Sequence, residues 1–164
     1  MRKSIFIMVM LFMSSLACLC PQTTNKEWII NLCKKQLFME SVYELPFTTK
    51  NLKQALDYAG VKHPDIAYRQ AVLETANFTS ELFVMANNLM GMRRAKVRET
   101  TAIGEYNYHA YYLHWWDSVR DYKLWQDYYA GKSYDLTCYY DFLSEIQYAT
   151  DILYINKLKN LDII

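Results

Sequence analysis

The stretch QAVLETANFTSELFVMANNLMGM, residues 70–92, decides how the rest of the chain is read. It joins the end of one apolar pattern to a cluster of turn-forming residues and then to a second apolar run. Just upstream, in KHPDIAYRQAVLE (62–74), Pro64 suits a first helical position and Asp65 a first turn, where negative charge complements the helix dipole. Ile66, Ala67, Gln70, Ala71 and then Leu73 or Glu74 follow at steps of three and four, the period of a helix with a buried face. Glu74 therefore falls in the last turn of a largely buried helix. A carboxylate there opposes the negative end of the dipole and sits among apolar neighbours, and both effects raise its pKa. Such a group keeps its proton where an ordinary glutamate has lost it.

Working outward, TTKNLKQALDYAG (48–60) carries the clearest helix signal: Thr48 or Thr49 as N-cap, Leu52, Ala55, Leu56 and Ala59 on one face, and Gly60 as the stop. Before it, NKEWIINLCKKQLFMESVYELP (25–46) fits one helix ending ahead of Pro46. After the central stretch, TSELFVMANNL predicts a short helix capped by Thr79 and ending at Asn87 and Asn88. RRAKVRETTAIGEYNYHAYYLHW (93–115), rich in β-branched and aromatic residues, predicts a loop with a small hairpin. DSVRDYKLWQDYYAG (117–131) is helical, with Val119, Tyr122, Trp125 or Gln126 and Tyr129 on one side, and the remaining residues supply one or two more helices.

At 164 residues, 52% hydrophobic and 21% charged, the chain has the size and composition of one globular domain with room for a cleft. Aromatics make up 16%, including 15 tyrosines, a composition that suits a wet, aromatic-lined groove as well as an ordinary core.

The first seventeen residues read as an export signal: Arg2 and Lys3, an apolar run, then small residues. Ser15 and Ala17 fit an ordinary cleavage site, whereas SLAC (15–18) also resembles a bacterial lipoprotein box with Cys18 as the lipid-bearing residue. The expected location is the periplasm or cell envelope, with a membrane tie only through Cys18. Removing residues 1–17 takes away Arg2 and Lys3 and no acid, leaving 16 basic residues against 17 acidic ones. That balance argues against a nucleic-acid partner, which would be held through phosphate neutralisation. Cys33 and Cys138 permit an oxidised bridge outside the cytoplasm but make no disulfide framework. His109 and His114 lie five apart, off the spacing that puts two metal ligands on one helix face, and no metal site or cofactor is expected.

The central stretch resembles the bacterial glucosaminidase-domain cell-wall hydrolases, a lysozyme-like group that includes flagellar peptidoglycan hydrolases and autolysins. In that family a helix ends in a catalytic glutamate followed by Ser or Thr and a glycine-containing turn, with NNLFG shortly after. Glu74, Thr75 and NNLMG (87–91) take those places here. AYYLHWWDSVRDY (110–122) is similar to the family's aromatic segment, and YATDILYINKLKNL (148–161) to its YATDPxYAxKL close, which puts Tyr148 at the position of the active-site tyrosine. The resemblance covers roughly residues 50–164. It implies a mainly α, lysozyme-like domain over residues 48–164 with a short, reduced β-lobe, preceded by a helical extension over 18–47. Ala76 and Phe78 stand where the family favours glycines, and Ile152 replaces its proline.

The chemistry so implied is cleavage of β-1,4 bonds in peptidoglycan glycan strands at N-acetylglucosamine. Glu74 is the expected general acid, delivering a proton to the departing oxygen. The second group is Glu99 or Glu105, acting through water across a gap of about 6.5–9.5 Å, or the substrate's own N-acetyl group. Tyr148 is expected beside the reacting sugar, and Asn88, Tyr111, Tyr112 and Trp115 are the substrate-binding candidates, with core packing the alternative for the aromatics. Two other readings stay open: a muramidase or lytic transglycosylase using Glu74 alone, and a non-catalytic wall-binding or interaction module.

Overall fold

A computed structural model describes residues 26–162. The segment expected to be an export signal, and Cys18 after it, lie outside the described residues. The chain divides into two units, residues 1–40 and 41–164. In the first, helix α1 (Lys26–Ser41) leaves Trp28, Ile30, Leu32 and Leu37 exposed, and Gln36 donates to Glu40 one turn on at 2.8 Å.

The second unit is mainly α: a 3₁₀ turn (Val42–Glu44), then α2 (Thr49–Tyr58), α3 (Pro64–Glu74), α4 (Glu81–Ala86), a two-stranded sheet, α5 (Trp115–Ala130), α6 (Tyr139–Glu145) and α7 (Tyr154–Lys159). This is the lysozyme-like helical architecture with a reduced β-lobe that the sequence implied. At the start of this unit Val42 is fully buried and the Leu45 carbonyl accepts the Trp115 indole N–H at 3.3 Å.

Helix starts follow side-chain chemistry. Thr48 caps α2 by accepting from the Asn51 N–H at 3.0 Å, and Leu52, Ala55 and Leu56 are buried on its inner face. Gly60 ends the turn at φ +72°, a left-handed conformation that favours glycine. Pro64 opens α3, and Ile66, Ala67, Tyr68, Gln70 and Ala71 are buried along it. The cap of α4 is Ser80 rather than the expected Thr79, because the Thr79 hydroxyl already donates to the Ala76 carbonyl at 2.6 Å. Helix α5 begins two residues before the expected Asp117, capped by His114, whose Nδ1 accepts the Trp116 N–H at 3.2 Å.

The sheet pairs β1 (Gly104–Tyr106) with β2 (His109–Tyr111) antiparallel, Glu105 opposite Ala110. Asn107 and Tyr108, at φ 47° and 63°, form the two-residue left-handed turn that matches the natural twist of a hairpin. Cys33 and Cys138 are both free thiols.

Candidate active site

Glu74 ends α3 half-buried, and the chain beyond it is held by Thr75. The fully buried Thr75 hydroxyl donates to the Ala71 carbonyl at 2.6 Å and accepts the Phe78 N–H at 2.8 Å. Its carbonyl takes the N–H groups of Thr79 and Ser80. Ala76, Asn77 and Phe78 then run at φ 48°, 58° and 65°, three consecutive left-handed residues without a glycine. Each costs about 1 kcal/mol or more. The Phe78 ring offsets this by packing among Phe47, Phe83 and Tyr68, with centroids 5.0–6.2 Å away. Aromatic packing thus holds a turn in which the resemblance leads one to expect glycines.

The NNLMG segment closes over Glu74 from the other side. The buried Asn88 amide donates to the carbonyls of Met92 (2.9 Å) and Ala110 (2.8 Å), while its oxygen accepts the N–H groups of Met90 and Met92. That wraps the loop and presents Gly91 at φ +62° directly to the acid. A β-carbon there would lie 2.6 Å from Glu74 Oε2 and 3.2 Å from its carboxyl carbon. Gly91 is thus required by its backbone angle and by the closeness of the carboxyl.

The other carboxyl oxygen, Oε1, accepts the Tyr154 hydroxyl at 2.8 Å. Burial pushes the Glu74 pKa up, against the Tyr154 hydrogen bond and the His109 charge, which lower it. Tyr148 stacks on Tyr154, centroids 5.7 Å apart, meets the Trp125 ring edge-on, and donates its hydroxyl to the Met90 carbonyl at 2.7 Å.

Glu74, Gly91 and Tyr148 face one cleft of about 630 Å³, lined also by Arg93, Arg98, His109, Trp125, Tyr128 and Tyr129 among others. The wall that follows Gly91 is irregular. It is fastened where Arg98 meets Asp121 through two hydrogen bonds, 2.9 and 3.1 Å, with both side chains buried. Asp121 also accepts the Thr101 N–H and the Tyr112 hydroxyl.

Of the residues singled out in the sequence, Glu74 and Tyr148 come together in this cleft. Glu99 and Glu105 are exposed and lie outside its lining, as does Tyr111 on β2. Tyr112 and Trp115 are buried instead: one is held by Asp121, the other packs on Phe47 with its indole N–H on Leu45. The Asn88 side chain spends its amide on backbone groups. Tyr154, Gly91, His109 and Trp125 were not among the candidates. The second tyrosine of YATDILY carried the one available signal, lying six residues after Tyr148.

The family model described as "Glucosaminidase: Mannosyl-glycoprotein endo-beta-N-acetylglucosaminidase" matches residues 49–162. No curated protein and no solved structure matches the chain.

Proposed function

The chain belongs to the glucosaminidase family, and from that premise we propose that it is an exported endo-β-N-acetylglucosaminidase of peptidoglycan with Glu74 as general acid. The observation that carries this reading is the placement of Glu74. One carboxyl oxygen is bonded to Tyr154, the other lies over Gly91, and burial favours the protonated form at the mouth of a saccharide-sized cleft.

As the glycosidic bond stretches, Glu74 passes its proton to the departing oxygen and the anomeric carbon gains positive charge. Among the described residues that line the cleft, Glu74 is the only carboxylate. The second role therefore goes to the carbonyl oxygen of the substrate's 2-acetamido group, which attacks the anomeric carbon, rather than to Glu99 or Glu105. Water then opens the resulting ring, and the proton it sheds returns to Glu74. The hydroxyl of Tyr148 is committed as a donor to Met90, so its oxygen is free to accept from a sugar hydroxyl. Trp125, Tyr128 and Tyr129 offer rings to sugar faces. The export signal would deliver this activity to the periplasm or envelope, with Cys18 the point of any lipid tether.

The test compares the mature chain and its Glu74→Gln variant on purified sacculi, with the new reducing ends identified. N-acetylglucosamine ends from the wild type alone are expected. N-acetylmuramic or anhydro-muramic ends would reassign the bond cut to a muramidase or transglycosylase, and binding without cleavage by both proteins would make the domain a wall-binding module.

A further inference from the structure

Behind Glu74 runs an unbroken line of buried polar groups. At its far end the Gln126 amide is pinned by one residue's backbone: Lys62 N–H donates to Oε1 at 2.7 Å, and Nε2 donates to the Lys62 carbonyl at 2.9 Å. The amide therefore cannot flip. Its second N–H points at the Tyr139 hydroxyl, 2.6 Å away. A tyrosine has a single hydroxyl hydrogen, so Tyr139 passes its own to Tyr122, also at 2.6 Å. Tyr122 donates to Gln70 Oε1, Gln70 Nε2 donates to the Tyr154 hydroxyl at 3.2 Å, and Tyr154 donates to Glu74 Oε1. The five intermediates are all buried.

We propose that Gln126, Tyr139, Tyr122, Gln70 and Tyr154 form a one-way hydrogen-bond chain that donates into Oε1 of Glu74, keeping the transferable proton on Oε2, with Tyr154 as the positioning residue. The proposal rests on Glu74 being the acid. Reversing the line would turn the Gln70 amide over, make Tyr154 donate to Gln70, and place the Glu74 proton on Oε1. It would also leave the Tyr139 hydrogen facing a fixed donor at Gln126, an unsatisfied buried group that costs about 1–3 kcal/mol. Oε2 accepts no hydrogen bond from the described residues and lies over Gly91, which lines the cleft. The proton thus sits on the oxygen a substrate can reach. When it leaves, Tyr154 is already aimed at the new charge, and a hydrogen bond to a charged acceptor is stronger than one to a neutral acceptor.

The titratable and charged groups around Glu74 are Tyr154 on α7, Tyr148 on the loop before it, His109 on β2, and Arg93 and Arg98 on the cleft wall. Tyr154→Phe removes one donor and keeps the ring. The carboxyl ¹³C resonance of Glu74, assigned by its loss in Glu74→Gln, is expected to titrate about 1 pH unit higher in Tyr154→Phe. In the same variant the C=O stretch of protonated Glu74 moves to higher wavenumber, as loss of a donor to the carbonyl oxygen requires. On sacculi the alkaline limb of kcat/KM moves up with the titration and kcat falls about tenfold, with KM little changed. Gln126→Met, remote from the cleft, shifts the titration the same way by less, and it decides the matter if Tyr154→Phe does not fold. An unshifted or lowered titration in the variant that folds overturns the chain. If the titration and the C=O stretch move as expected but the wild type cuts no wall, the chain stands and the enzymatic assignment falls instead.

Discussion

Under Glu74 the polar side chains from Gln70 to Gln126 are buried and each has a partner, whereas the wall from Arg93 to Ile103 is open and carries Arg93, Arg94 and Lys96 exposed, with Val97 77% exposed. The floor is built from four helices, α3, α5, α6 and α7, and its hydrogen bonds join residues up to 84 positions apart. The wall has no regular element before β1 and depends on the buried Arg98–Asp121 pair. The difference suits the roles proposed for each. A proton donor needs an environment that does not fluctuate, because its pKa is set by burial and by a few fixed dipoles. A polysaccharide needs an open edge to enter by, and loops with solvated side chains provide one.

The comparison breaks most decisively at the acid. Glu74→Gln should lower sacculus cleavage about 10³- to 10⁴-fold while leaving the circular dichroism spectrum unchanged. Next comes the fastening of the wall. Asp121→Ala strands a buried guanidinium and should destabilise the protein by about 3–4 kcal/mol in denaturant titrations, with cleavage lost alongside. An unchanged midpoint would mean that the wall holds itself.

Gly91→Ala joins the two regions at their seam. The added carbon meets Oε2 and imposes a left-handed alanine, so about 2 kcal/mol of stability and about tenfold in kcat should go together. A variant that loses only stability would show that the carboxyl can move aside without harm.

The floor also carries a pH signature. Because the folded-state pKa of Glu74 is raised, the folded protein binds this proton more tightly than the unfolded chain does. That contribution is fully present below the ordinary glutamate value of about 4.3 and is lost as pH rises through the raised one. Glu74→Gln should therefore gain on the wild type in melting temperature as pH climbs through that window, and the gain should be flat above it. The smallest effect belongs to the turn: Ala76→Gly relieves one left-handed residue and should stabilise by less than about 1 kcal/mol, the gain being reduced by the freer unfolded chain.

How far the sequence foretold this depends on how local each feature is. The α2 boundaries were legible because Thr48 and Gly60 act on their own neighbours, and the end of α3 at Glu74 followed from Pro64 and the apolar period. The caps at Ser80 and His114 escaped because a neighbouring hydrogen bond decides them, the Thr79 hydroxyl being taken by Ala76 in the first case. In the site, Glu74 and Tyr148 were reachable through their motifs. The apolar period places Gln70 only on a buried face, and His109 and Trp125 line the cleft from separate elements that no window of sequence joins to Glu74, while Tyr154 meets Glu74 from behind the cleft. Tyr112 and Trp115 show the converse, since an aromatic-rich segment says nothing about which rings turn inward.

Trp125 has one practical consequence. The chain holds four tryptophans: Trp115 and Trp116 are sealed in the core, Trp28 is solvated on α1, and Trp125 forms part of the cleft lining. With Trp28 changed to Phe, the emission of the remaining indoles responds to a saccharide mainly through Trp125. In the Glu74→Gln background, affinity for glycan fragments becomes an optical titration, separable from turnover.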